Sequence, residues 1–135
     1  MEEKFRKLRS FNIFMACLHF AQGVAMVILS TDMKVPVMTS FLKFNFATQS
    51  LIPDPKTWFE IPLALLIASF LFISSLAHLM VSLPKINDWY NKNLAKGANY
   101  ARWIEYAFSS SIMIVVVSML VGISDISALI PIFFC

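Results

Sequence analysis

Three side chains able to hold or pass a proton stand inside long apolar stretches: His19, His78 and Glu105. All three have polar neighbours at helical spacing. Gln22 follows His19 by three residues and Ser74 precedes His78 by four, the separations that share a helix face. At about 100° per residue, Glu105, Ser109 and Met113 form one stripe, flanked by Tyr106 and Ser110, while Ser111 falls on the other side. Polar stripes on three helices can enclose a hydrated cavity. Each residue also has a plainer reading. A membrane histidine can bond a backbone carbonyl of a neighbouring helix, and serines in spans pack helices, the role assigned to Ser111 and Ser118. Met113 reads as a gap filler. Glu105 is the exception, because a carboxylate in hydrocarbon costs a few kcal/mol and points to function. Its charge needs a nearby cation or hydrogen-bond donors, yet no lysine or arginine lies deep in a span.

The elements that must position these groups are membrane spans. The chain has 135 residues, 59% hydrophobic and 14% charged, against about 25% charged in soluble domains. Its mean hydropathy is +0.72. Apolar runs at about 11–30, 61–83 and 101–123 each approach or exceed the roughly 20 residues a span needs. The first is longer than a signal-peptide core and lacks a small-x-small cleavage site after it. These spans exclude a soluble enzyme, and no serine cluster has the base-plus-orienter spacing of a hydrolase. Cys17 and Cys135 suggest neither a disulfide framework nor a metal site.

Charge sets the orientation. Lys4, Arg6, Lys7 and Arg9 precede the first span, and Lys85, Lys92, Lys96 and Arg102 lie between the second span and the start of the third. Only Lys34, Lys43 and Lys56 lie in the other connection. The positive-inside rule therefore places the amino terminus in the cytoplasm. The net charge of +3 is topology information and does not imply nucleic-acid binding. On a rise of roughly 1.5 Å per residue, His19 lies about 12 Å, and His78 and Glu105 about 6 Å, from the inner ends of their spans.

In the outer connection, Leu42, Phe44 and Phe46 alternate with Lys43 and Asn45, a short strand signal. The stretch 52–58 reads as a turn, with Pro53 and Pro55 barring helix. A small outer hairpin is expected. The inner connection 84–100 reads as a polar, aromatic loop whose Trp89, Tyr90 and Tyr100 fit an interfacial belt. Beyond Gly122, Ser124 or Asp125 caps the start of a fourth span at about 125. About ten residues cannot cross a bilayer, so the chain is expected to be part of a longer protein.

The run 102–133, opening RWIEYAFSSSIM, resembles the third span and following turn of heliorhodopsins, and LHFAQ and SSLAHLMVS resemble their first two helices. These are retinal-binding seven-helix proteins with the amino terminus inside and a β-hairpin in the long outer loop. The resemblance covers essentially all 135 residues. It implies an all-α membrane protein, the first part of a seven-helix rhodopsin-like bundle. It implies all-trans-retinal as chromophore, a homodimer in the cell membrane, and light sensing without pumping. By likeness, Glu105 is the Schiff-base counterion. His19 and His78, with Gln22 and Asn99, belong to an inner proton-accepting cavity. Ser74, Ser109, Ser110, Tyr106 and Met113 lie near the Schiff base or retinal. Two features depart from the pattern. Pro131 stands where an unbroken fourth helix is implied. The eight lysines all lie outside the spans, so the attachment lysine is absent from this segment. Two other readings stay open: a light-gated proton channel, and a retinal-free membrane interaction protein.

Overall fold

The structure, a computed structural model, describes residues 2–135. Its elements run α1 (Glu2–Ile28), β1 (Lys34–Asn45), β2 (Ser50–Pro62), α2 (Leu63–Ser82), α3 (Pro84–Ala95), α4 (Tyr100–Leu120) and α5 (Ile126–Phe134). α1, α2 and α4 are long and apolar enough to cross a membrane. Only 17–22% of the best apolar stretch of each is buried within the chain. Large side chains such as Phe14, Phe20, Leu76, Ile104 and Phe108 face outward. Apolar surface this continuous demands lipid or further protein around it.

α2 is the central helix, packing along α1 on one side and α4 on the other, while α5 packs on α4. The α1–α2 approach is close because Gly23 leaves room for the edge of the Phe72 ring, which a Cβ would meet at 2.7 Å. One turn and more below, the Ser75 hydroxyl donates to the Ala16 carbonyl at 2.7 Å, tying the same two helices. Arg9 extends the tie to the end of α2 away from the hairpin, donating from Nε to the Ser82 carbonyl at 2.8 Å, one of the acceptors that a helix end leaves free.

The outer hairpin is longer than the sequence suggests, and its turn lies elsewhere. β1 and β2 pair antiparallel from Lys34↔Pro62 to Asn45↔Ser50, and the turn is 46–49, closed by Gln49 at φ 46°. Pro53 and Pro55 lie inside β2, opposite Leu42 and Ser40. Proline is tolerated because both strands of a two-stranded ribbon are edges, and a residue whose N–H would point outward loses no ladder bond. A bulge at Val37/Met38 gives β2 one extra residue. The hairpin base closes one end of the bundle, opposite the α2–α4 connection. Val35 and Val37 pack with Leu63, Val116, Met119 and Leu129. The Met38 amide donates to the Ser124 carbonyl at 2.8 Å.

The inner connection is a second correction. Most of it is helix α3, opened by Pro84 at its first turn, where a missing N–H costs nothing. Asn87 fastens it by donating from Nδ2 to the Val81 carbonyl at 2.8 Å. Of the interfacial trio, Trp89 and Tyr100 are exposed, but Tyr90 is buried against the bundle. At the other end, the Asp125 carboxylate caps α5, accepting from the Ser127 amide at 2.9 Å. α5 remains helical through Pro131.

Candidate functional site

Polar groups from α1, α2 and α4 converge in the half of the bundle away from the hairpin. His19 on α1 and His78 on α2 stack with ring centroids 5.6 Å apart and planes 22° from parallel. The outer nitrogen contacts of the pair are amides. His19 Nδ1 lies 3.1 Å from Gln22 Oε1, and His78 Nδ1 lies 3.0 Å from Asn12 Oδ1. With each amide oxygen turned toward Nδ1, a neutral imidazole at either position would donate from Nδ1 and keep Nε2 as the free acceptor.

Glu105 on α4 is held by hydroxyl groups. Ser74 of α2 donates to Oε1 at 2.5 Å, and Ser109, one turn further along α4, donates to the same oxygen at 3.0 Å. Among the described residues, no cationic group lies within ion-pairing distance of this carboxylate. Glu105, His78 and Asn99 line one cleft of about 40 Å³ together with Asn12, Tyr90 and Arg102, enough for a few water molecules. Asn99 is partly committed, since its side-chain oxygen caps α4 by accepting from the Arg102 amide at 3.2 Å.

The remaining candidates lie apart from this cleft. Ser110 donates to the Tyr106 carbonyl. The Tyr106 ring lies under the Arg102 guanidinium, 4.6 Å from the ring centroid, and its hydroxyl accepts from the same group. Met113 and Ser110 line an open groove between α4 and α5 with Phe108, Ile114 and Phe133. That surface is apolar and aromatic with a few hydroxyls.

Asn12 is the residue the sequence reading missed. It is 4% exposed, and its Nδ2 is buried with no partner. It precedes His19 by seven residues, two helical turns, so Asn12, Ala16, His19 and Gly23 form one face of α1. Carrying the polar stripe back by two turns would have revealed it. Arg102 and Tyr90 were read only as topology and belt residues, yet both line the cleft.

Three helices long and apolar enough to cross a membrane, packed around a polar cluster, define the class of an integral membrane protein. The model of the heliorhodopsin family matches residues 8–135, and the chain belongs to that family. It is a family of retinal-bearing, light-sensing membrane proteins rather than typical enzymes. No curated protein matches the chain.

The site's donor set fits that chromophore. A carboxylate with hydroxyl donors and, among the described residues, no cation within ion-pairing distance can accept a positively charged partner, and the α4–α5 groove offers apolar surface to a polyene.

Proposed function

We propose that this chain supplies the counterion and the inner proton-accepting cluster of a heliorhodopsin-type light sensor. The observation that carries the proposal is Glu105, fixed by Ser74 and Ser109 and lacking a cation of its own. When bound, retinal supplies light absorption and a cationic, proton-bearing linkage. None of the eight lysines stands in an apolar span, so that linkage requires a lysine outside these residues.

The chain's own groups then divide the work. Glu105 holds negative charge at the site, and the two serines orient its Oε1. His78 and His19, set by Asn12 and Gln22, offer unprotonated Nε2 atoms to a proton arriving in the inner cleft. Asn99 and Tyr90 shape the cleft's inner mouth. The amino terminus lies in the cytoplasm, the protein sits in the cell membrane as a homodimer, and its output is sensory.

Conduction is the second reading, motivated by polar residues on three spans. The sensor is favoured because Val37, Leu63, Val116, Met119 and Leu129 pack as an apolar cluster where the hairpin base meets these helices, offering no polar groups to carry a proton there. The full-length polypeptide with added all-trans-retinal is expected to form a visible pigment and to pass no light-evoked current under voltage clamp. A colourless protein supports the retinal-free reading. A current reversing at the proton equilibrium potential supports the channel.

A further inference from the structure

We propose that the outward face of α3 and the adjoining start of α4 form a docking surface for anionic phospholipid headgroups of the inner leaflet. On a helix turning about 100° per residue, Lys85, Trp89, Lys92 and Lys96 fall within roughly 60° of one another. The opposite side faces the bundle, where Asn87 and Tyr90 are buried. The stripe is free: all four residues are exposed, and among the described residues none of the three lysines pairs with a carboxylate.

The position matches the ligand. α3 begins two residues after α2 ends and is followed within five residues by α4, so it lies at the inner boundary of the membrane. Trp89 continues into an aromatic ladder. Its ring is 6.4 Å from Tyr100, which meets Trp103 edge-on at 5.2 Å. Tyr100 and Trp103 are themselves exposed on the first turn of a span. Indole and phenol rings favour the headgroup level of a bilayer. Ammonium groups held beside them meet lipid phosphates, and Lys4 and Arg6 on α1 add to the same side, where Lys7 is paired with Glu3 at 2.9 Å. Asp88 borders the stripe as its one acidic neighbour. The inference rests on the inward orientation of this face and is independent of retinal.

The test uses the full-length chain carrying Trp58→Phe, which leaves Trp89 and Trp103 as reporters within this segment. The protein is placed in phosphatidylcholine bilayers containing either brominated phosphatidylglycerol or brominated phosphatidylcholine at equal mole fraction. Preferential binding gives several-fold stronger local quenching by the anionic lipid, and added salt weakens it. Lys85→Gln, Lys92→Gln and Lys96→Gln together abolish the preference and leave the neutral-lipid quenching unchanged. Inorganic phosphate at matched ionic strength does not displace the lipid; if it does, the surface is a free-anion site. Equal quenching by both lipids in the unsubstituted stripe, or a preference that survives the triple substitution, overturns the proposal.

Discussion

Ser74 of α2 donates a 2.5 Å hydrogen bond to the half-buried Glu105 carboxylate of α4, joining two spans through the one carboxylate in either. A hydrogen bond to a charged group contributes more than a neutral one, and here it also fixes where the charge sits. Ser74→Ala is expected to cost roughly 1–3 kcal/mol, because one donor of a partly buried charge is lost. Ser109→Ala should cost less, since its bond stays within α4. Thermal unfolding in lipid nanodiscs checks the order. Equal and negligible effects would show that the interhelical bond contributes nothing.

Asn12 sets the tautomer of His78. Its carbonyl oxygen faces Nδ1, which fixes the proton there and leaves Nε2 as acceptor. Nitrogen-15 spectra of labelled histidine should show protonated Nδ1 in the parent and a tautomer mixture in Asn12→Leu. Protonated Nε2 in the parent would mean that the amide is turned the other way and that the free acceptor has been misassigned.

Gly23 controls the approach of α1 to α2. A methyl there meets the Phe72 ring at 2.7 Å, so the ring must move. Gly23→Ala should destabilise by about 1 kcal/mol and Gly23→Leu by about 1–3 kcal/mol through overpacking. Phe72→Ala introduced beside Gly23→Leu should recover part of that loss, a coupling that a double-mutant cycle measures. Strict additivity would contradict the contact.

Asp125 gives the outer end a pH dependence. The Ser127 hydroxyl, then Ser40 and the Ser127 amide, hold its carboxyl below the usual carboxylate range. A depressed folded-state value means that the stabilisation is complete above that range and is lost as pH falls through it. Hydrogen exchange at the Ser127 amide should therefore be slow and steady near neutrality and accelerate relative to its intrinsic rate in acid. Asp125→Ala should remove the acid dependence. Protection that is insensitive to acid, or unchanged in the variant, would contradict the cap.

Hydropathy made α1, α2 and α4 readable, because a lipid-facing helix is apolar over most of its surface and its ends are marked by charge. A cap at Ser124 or Asp125 was readable for a local reason, a capping residue type just before an apolar run, and the bond from the Ser127 amide selects Asp125. The hairpin and α3 were not readable. Pro53 and Pro55 signal a turn in isolation, and only the absence of a third strand makes them compatible with β2. The α3 stretch is too polar to stand out by hydropathy, and its helical stripe of Lys85, Trp89 and Lys92 hides among loop-like asparagines. At the site, ionisable type and depth singled out His19, His78 and Glu105. The stacking of the two rings and the burial of Asn12 depend on the rotation of α1 against α2, which no single-helix pattern contains.

The proposed role of Glu105 is to provide the negative charge facing a retinal linkage. Its direct measurement is the visible absorption and its pH titration in the full-length, retinal-loaded protein, comparing parent with Glu105→Gln. Loss of a nearby negative charge predicts a red-shifted band or a lowered pKa of the chromophore linkage, with Ser74→Ala giving a smaller change in the same direction. A spectrum and titration identical to the parent's would contradict the account.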